Sequence, residues 1–514
     1  MQIDLQTEAI AFLTDPLTHA LGPEAGPAEV IETHISVIVL VGDRAYKLKR
    51  AVRLDYVDQS TVERRLALCE HEVELNRRAA PELYIGVRRI TRIDGGGLVF
   101  DGDGPLVDAV VEMVRFDQDG LFDRMAGQGR LTPALLSELA IVVARLHETA
   151  PVELPGGGAA NLAAVLSINE RALEASTVFP LDAVDRINLA FREALVTAAA
   201  LLDRRQSLGK VRHCHGDLHL GNICLIGGLP TPFDCLEFDD AMATVDVLYD
   251  LAFLLMDLWH RDLKAGANLV LNRYLDAADE NDGLTVVPLM MAIRAAVRAH
   301  VSAARAEDPA QAAGAAGLRT AAISYLDLAR ELLRPVPPRL VAIGGFSGSG
   351  KSRVAAAIAA AVGPPPGARV LSSDRIRKRM GGVAPGARLP ASAYRPEVSR
   401  AVYETLGREA EYLLALGHGV VLDATFNKPE ERARVAEMAA AVEVPFTGIW
   451  LELPPDALIE RVERRGPDVS DATASVVRDQ IARYRGPMTW TSVSAVGSVE
   501  AVVARVMALI GAAY

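Results

Sequence analysis

Apolar positions in the first quarter of the chain fall at two periods. Ile35-Ser36-Val37-Ile38-Val39-Leu40-Val41 is a strand-like run, Gly42-Asp43-Arg44 a turn, and Ala45-Tyr46-Lys47-Leu48-Lys49 a return strand, so residues 31–50 are predicted as a β-hairpin. The lysines of that return strand read, taken alone, as solvated edge residues. Ser60 and Glu63 then have capping-box spacing, and Val62, Leu66, Cys69, Val73 and Ala80 recur at helical spacing before Pro81. This predicted helix carries Glu63, Glu70, Glu72 and Glu74. Tyr84–Ile93 and Leu98–Val114 supply further strands, broken by Asp94-Gly95-Gly96-Gly97 and Asp101-Gly102-Asp103-Gly104. Residues 121–210 are predicted largely helical with an interruption at Gly156-Gly157-Gly158, and residues 286–334 are alanine-rich and helical.

The pattern changes after Arg334-Pro335-Val336-Pro337-Pro338, the clearest linker in the chain. Short apolar runs now alternate with helical stretches. Leu340-Val341-Ala342-Ile343, Arg369-Val370-Leu371-Ser372-Ser373-Asp374, Gly419–Thr425 and Pro445–Leu451 read as four buried strands of a parallel sheet. The expected organisation is a first domain over 1–334, a proline linker at 335–338 and a second domain over 339–514. The expected fold class is an α+β first half followed by an α/β second half on a parallel sheet.

Composition narrows this only modestly. At 514 residues one core is not enough, and half the residues are apolar with 23% charged, as in globular chains. No apolar run reaches about 18 residues without a charge, so no membrane span is expected. Met1-Gln2-Ile3-Asp4 lacks the basic start of a signal peptide, and Cys69, Cys214, Cys224 and Cys235 form no paired spacing, which together point to a reducing cytoplasm. A net charge of −12 argues against broad affinity for nucleic acid or anionic membranes.

The most specific chemistry lies in Gly345-Phe346-Ser347-Gly348-Ser349-Gly350-Lys351-Ser352, which matches G-x-x-x-x-G-K-[ST] at every fixed position. An apolar strand precedes it, and an alanine-rich helix over Arg353–Val362 follows, stopped by Gly363-Pro364-Pro365-Pro366. In that setting the glycines turn backbone N–H groups toward phosphate oxygens, and the helix N-terminus adds its positive dipole end. The motif predicts ATP as ligand, with Lys351 on the β- and γ-phosphates and the Ser352 hydroxyl on Mg²⁺. Asp423 ends a buried strand in the place of an aspartate supporting that metal.

The second informative stretch is His213-Cys214-His215-Gly216-Asp217-Leu218-His219-Leu220-Gly221-Asn222. Its three histidines fit no zinc spacing. Its H-x-D-x-x-x-x-N order, with Phe233-Asp234 following, is that of a kinase catalytic loop and its magnesium aspartate. Together with Ala45-Tyr46-Lys47, Glu72 within His71–Asn76, and Phe233-Asp234-Cys235, it makes residues from about 30 to about 330 resemble the aminoglycoside phosphotransferase/choline kinase-like family. The resemblance implies that Lys47 pairs the α- and β-phosphates and that Glu72 holds Lys47. It makes Asp217 the catalytic carboxylate, Asn222 and Asp234 magnesium ligands, and Asp250 a structural aspartate. No G-x-G-x-x-G precedes Lys47, so Thr33-His34-Ile35-Ser36 has to cover the phosphates instead.

Residues from about 338 to 514 resemble P-loop kinases grouped with gluconate kinase and polynucleotide 5′-hydroxyl kinases. The P-loop, Asp374-x-x-Arg377, Asp423-Ala424-Thr425 and Arg461, Arg464 and Arg465 carry the likeness. It implies Asp374 as base toward the acceptor hydroxyl, Arg377 as acceptor anchor, and the three later arginines as cations closing on the phosphates. From Arg369 to Arg400 eight basic residues face two acidic ones, which reads equally as a solvated face or as a pocket for an anionic acceptor. Together the two resemblances imply an α+β protein-kinase-like fold followed by an α/β P-loop NTPase fold on a parallel sheet, and a fused, cytoplasmic, ATP- and Mg²⁺-dependent phosphotransferase acting on hydroxyl groups of small molecules. A nucleic-acid 5′ end as acceptor and a purely nucleotide-sensing half are the competing readings. Glu237, Asp239 and Asp240 would suit a cationic acceptor but read first as a solvated cluster.

Overall fold

The hairpin expected at residues 31–50 is part of a larger sheet in the computed structural model, which describes residues 2–19, 26–54, 57–384, 386–464, 471–484 and 487–511. The chain divides into two units, Met1–Asp257 and Leu258–Tyr514. The first begins with helix α1 (Gln2–Thr14) and strands β1 (Glu29–Glu32), β2 (Ser36–Val41) and β3 (Arg44–Lys49). The short pair β4 (Arg53–Leu54) and β5 (Val57–Asp58) leads to α2 (Val62–Asn76), β6 (Tyr84–Arg92), β7 (Leu98–Phe100) and β8 (Leu106–Val114). The main sheet runs β1-β2-β3-β8-β6-β7 with every pairing antiparallel.

The alternation along β2 and β3 feeds two cores. Val37, Val39, Val41, Tyr46 and Leu48 pack with Ala9 and Leu13 of α1, while Leu40 and Ala45 pack with Cys69 and Val73 of α2. Because β3 lies between β2 and β8 and both sheet faces are covered, Lys47 and Lys49 are 8% and 0% exposed, not the solvated edge residues their strand suggested. Helix α2 starts one residue later than the capping box implies. Thr61 is its N-cap, accepting from Arg64 N, because the Ser60 hydroxyl is spent on Asp58 Oδ1 at 2.6 Å.

Helices α3 (Phe122–Gly127), α4 (Pro133–Thr149), α5 (Gly158–Ala175) and α6 (Leu181–Ser207) fill the region expected to be helical. Then β9 (Val211–His213), β10 (Ile223–Ile226), β11 (Leu229–Pro232), α7 (Asp240–Ala243) and β12 (Thr244–Asp246) frame the histidine-rich loop, through β9–β12 and β10–β11 ladders. Helix α8 (Val247–His260) carries the chain across the division.

The second unit holds α9 (Lys264–Ala277), α10 (Val287–Glu307) and α11 (Ala315–Leu332) as well as the P-loop fold. The segment Asn281–Glu307 is long and apolar enough to cross a membrane, but 67% of its apolar window is buried inside the protein. After the proline segment come β13 (Leu340–Gly344), α12 (Lys351–Ala359), β14 (Arg369–Ser372), α13 (Ser373–Met380), α14 (Pro396–Ala415), β15 (Val420–Asp423) and α15 (Pro429–Ala441). The unit ends with β16 (Phe446–Glu452), α16 (Pro455–Glu463), α17 (Ala474–Arg483), β17 (Thr491–Ser494) and α18 (Val499–Ile510). The sheet order is β14-β15-β13-β16-β17, all parallel, so both halves have the fold class read from sequence. The fifth strand, β17, went unforeseen because this edge strand is rich in serine and threonine and exposed at three of four positions. The opposite edge, β14, is covered by α9. Asn272 Oδ1 accepts from Val370 N at 2.7 Å, Asn272 Nδ2 donates to Ala368 O at 3.1 Å, and Asp276 pairs with Arg369 at 2.8 Å.

Candidate active sites

In the first unit, burial sorts the carboxylates of α2. Glu70 and Glu74 face solvent, whereas Glu72 turns inward with Cys69, Val73 and Asn76. Lys47 Nζ then meets Glu72 Oε1 at 2.9 Å and Asp234 Oδ1 at 2.5 Å, although 187 residues separate Lys47 from Asp234. Burial works against the Lys47 charge, yet Asp234 and Glu72 hold its pKa well above the ordinary lysine value. Glu72 Oε2 binds a second lysine, Lys49, at 2.6 Å, and Lys49 also pairs with Glu237. Burial opposes the Glu72 charge as well, but the two ammonium groups hold its carboxyl below its usual range. Lys49 and Glu237 are missing from the sequence-predicted set. The i, i+2 spacing from Lys47 was the available signal for Lys49, since it puts both lysines on one strand face. Glu237 is buried, unlike Asp240, which is exposed and accepts from His71 and His213 at 2.9 and 3.1 Å. Over the sheet, the Thr33–Ser36 turn closes on itself, with Ser36 N donating to Thr33 Oγ1 at 2.9 Å.

The loop bearing Asp217 is held from beneath. Asp250, fully buried, accepts from Gly216 N at 2.8 Å and His215 N at 3.3 Å, and His147 Nε2 lies 3.0 Å from it. Gly216 has φ 81°, and a Cβ there would lie 2.9 Å from Leu236 Cβ, so this turn needs glycine. Asn222 Nδ2 donates to Asp217 O at 3.0 Å and Oδ2 at 2.9 Å, and His219 Nε2 lies 3.5 Å from the same carboxylate. Backbone bonds from Phe233 N to Asn222 O and from Leu236 N to His215 O, both 2.9 Å, join this loop to the segment carrying Asp234. Asp234 itself takes a left-handed φ of 62° and donates its N–H to the Tyr84 hydroxyl at 3.1 Å. Lys47, Glu72 and Asp234 are thus in direct contact, as are Asp217 and Asn222. His147, Cys214 and Asp250 cluster within 4.8 Å, but the Asp250 oxygens already serve the loop, so the trio is a hydrogen-bonded support.

In the second unit the cradle is made of backbone. Gly345, Gly348 and Gly350 have φ of 143°, 88° and 93°, and a Cβ on Gly348 would lie 2.7 Å from Leu458 O. Lys351 Nζ donates to Phe346 O at 3.1 Å, and the buried Ser349 hydroxyl has no partner among the described residues. Ser347 N donates to Gln480 Oε1 at 2.9 Å, and Gln480 Nε2 donates to Ser347 Oγ at 3.1 Å. Asp423 ends β15 buried; burial raises its pKa, opposed by Lys351 and by a hydrogen bond with Ser352. A cavity of about 1140 Å³ joins Ser349, Lys351, Ser352, Asp374, Arg377 and Asp423 in one space. Left-handed glycines, an unspent hydroxyl, a lysine at the helix N-terminus and a carboxylate beside Ser352 fit a magnesium nucleotide.

The basic run between Arg369 and Arg400 is largely spoken for. Asp276 takes Arg369 and Arg375, Glu409 takes Arg379, and Asp471 takes Lys378. Arg377 lines the cavity, donating to Ala393 O at 2.7 Å and lying 4.8 Å over the Tyr394 ring. Arg461, which donates to Ala495 O at 3.1 Å, and Arg464, paired with Glu460 at 2.7 Å, line it as well, whereas Arg465 lies outside the described residues. Gln480 and Asp471 reach the cavity from positions that no local motif marked.

Two family models match the chain, the first of them running across the division at Asp257. Residues 101–284 match the model of the phosphotransferase enzyme family, and residues 340–487 match that of an AAA domain. Among solved structures, a gluconokinase from Sinorhizobium meliloti is 23% identical, covering 35% of this chain and 94% of that one with a TM-score of 0.25. A choline/ethanolamine kinase family protein from Mesorhizobium loti is 15% identical, covering 64% of this chain and 99% of that one with a TM-score of 0.37. The uncharacterized proteins Rv2004c of Mycobacterium tuberculosis and Mb2027c of Mycobacterium bovis are each 31% identical over 464 residues, 88% of this chain and 90% of theirs. The chain therefore belongs to the same family as these two mycobacterial proteins.

Proposed function

We propose that each unit binds ATP with Mg²⁺ and transfers the terminal phosphoryl group to a hydroxyl group of a small molecule. The observation that carries this reading is the presence in one chain of two separate arrangements, the contacts of Lys47 with Glu72 and Asp234, and the cradle from Gly345 to Ser352 opening on Asp374 and Asp423. When bound, the magnesium nucleotide supplies the transferable group and the cation that offsets its charge. In the first unit Lys47 would hold the phosphates with Glu72 behind it, and Asn222 and Asp234 offer oxygens to the metal. Asp217 orients the acceptor hydroxyl and takes its proton. In the second unit Lys351 and Ser352 would hold nucleotide and metal with Asp423, Asp374 receives the acceptor proton, and Arg377 orients the acceptor. Arg461, Arg464 and Arg465 would supply positive charge to the phosphates. The pairing of Arg369, Arg375, Lys378 and Arg379 within the fold supports a small acceptor over a nucleic-acid end.

The test uses a Lys351→Ala chain, so that only the first site turns over, and a panel of hydroxylated metabolites and oligonucleotides. Asp217→Asn in that background should slow transfer by a factor on the order of 10² or more while leaving ATP binding nearly intact. Transfer at full rate would make the first unit a nucleotide-sensing module. In a chain with only the second site active, labelling confined to oligonucleotide 5′ ends would assign it a nucleic-acid acceptor.

A further inference from the structure

The peptide between Phe346 and Ser347 is engaged on both sides. Its carbonyl accepts from the Lys351 ammonium at 3.1 Å, and its N–H donates to Gln480 Oε1 at 2.9 Å. The Gln480 amide nitrogen donates in turn to Ser347 Oγ at 3.1 Å, so one side chain satisfies both the amide and the hydroxyl of Ser347. Gln480 belongs to α17, whose Val477 packs on Leu458 and Val462 of α16, with Phe346 and Ile481 against the same cluster. The Phe346 ring also meets Trp450 and Tyr484 edge-on at 5.3 and 5.7 Å. Helix α17 is therefore docked on the second and third residues of the phosphate loop by an apolar cluster and a two-bond amide contact.

The position of that contact in the loop matters. The residues at the start of α12, Gly350 to Ser352, are those that cradle the inner phosphates, and Lys351 is the group that reaches on to the terminal one. Its ammonium rests on the very peptide whose N–H Gln480 holds. An amide oxygen accepting from a loop N–H does what a phosphate oxygen does. A diphosphate, held at the helix end, leaves the Gln480 contact untouched. A triphosphate brings acceptor oxygens to Lys351 and to the Ser347 amide, and there it competes with Gln480.

We propose that Gln480 is the residue by which the P-loop site distinguishes a nucleoside triphosphate from a diphosphate, its side-chain amide standing at Ser347 in place of the terminal phosphate. This rests on the nucleotide reading of the loop. The contact yields when the triphosphate arrives and re-forms once the terminal group has been transferred, so the hold of α17 on the loop follows the number of phosphates present.

The test is calorimetric titration of the full chain with Mg²⁺ and either ADP or the non-transferable β,γ-imido analogue of ATP. The P-loop component is the part that Lys351→Ala removes. Gln480→Ala frees Ser347, and it should tighten the triphosphate analogue about fivefold, the scale of one hydrogen bond released from competition, while ADP stays within about twofold. Gln480→Glu keeps an acceptor but sets a negative charge beside the terminal phosphate, and should weaken the analogue about tenfold more than ADP. Equal shifts for the two nucleotides in either variant, or an unchanged or weaker affinity of Gln480→Ala for the analogue, would overturn the proposal. Absence of any component sensitive to Lys351→Ala would overturn the nucleotide reading of the loop, and this inference with it.

Discussion

The two candidate sites are built from opposite materials. In the first unit, charged side chains from β3, α2 and the segment after β11 are drawn together across up to 188 residues and locked in a buried network. In the second, eight consecutive residues do most of the work through backbone geometry, and the charges stand at the cavity wall. A site of the first kind fails when a charge is removed; one of the second kind fails when an atom is added.

The largest contrast should come from Lys49→Met. It leaves Glu72 with one of its two lysines and takes from Glu237 its only ion pair among the described residues, and such a loss costs about 3–5 kcal/mol. Hydrogen exchange resolved by peptide should show the loss across β3, α2 and the Asp234 segment, and Lys49→Met/Glu237→Gln should recover part of it. Equal protection in wild type and Lys49→Met would mean that the network contributes no stability. Acid sharpens the comparison in a second way. Burial lowers the His418 pKa to about 4, so its unfolded form takes up a proton first, and the second unit loses stability as pH falls from about 6.5 through 4. The expected loss from His418 is about 3 kcal/mol, and because burial lowers His300 of the same unit to about 4 as well, His418→Gln should remove one of the two contributions and leave the other. Glu72 acts in the same direction at lower pH. Its depressed pKa adds stability that is present above about 4.5 and lost only as pH falls through the lowered value. His215 in the first unit is lowered by burial as well, so the decisive comparison is wild type against His418→Gln within the second unit. The smallest of the three effects, Gly348→Ala, tests the backbone half. A methyl group there meets Leu458 O at 2.7 Å at a φ of 88°, and the displaced loop should bind nucleotide roughly 10²-fold more weakly. Nucleotide binding at the first site should not change, and a shift there would show that the two sites are coupled.

The same contrast decides what was legible. The P-loop could be read because its residues are contiguous and their spacing is the mechanism. Asp217, Asn222 and Asp234 stood out by motif order, and Asp250 now sits under their loop. The resemblance alone singles Glu72 out from Glu70 and Glu74, and the buried face of α2 supplies the physical reason. Lys49 stayed hidden for a related reason: whether a strand lysine is interior depends on what covers the sheet, and α1 and α2 come from elsewhere in the chain. Gln480 meets Ser347 from 133 residues away, on a helix whose sequence carries no phosphate signature. The basic run after Arg369 misled in the opposite direction, since its partners Asp276, Glu409 and Asp471 lie outside the stretch in which charge was counted.

Asn272 on α9 has a consequence for how the protein can be cut and recombined. Its side-chain amide offers β14 one acceptor for Val370 N and one donor for Ala368 O, the two groups a neighbouring strand would present. A single asparagine thus finishes the edge of a five-stranded sheet from a position encoded some sixty residues before the proline segment. A gene fragment opened after Pro338 keeps the whole loop from Gly345 to Ser352 and loses this seal, leaving an unpaired strand edge that can template association with another copy. Composition places the seam of this protein at its prolines, whereas the sheet places it before α9, and a cut that keeps the edge of β14 sealed has to follow the sheet.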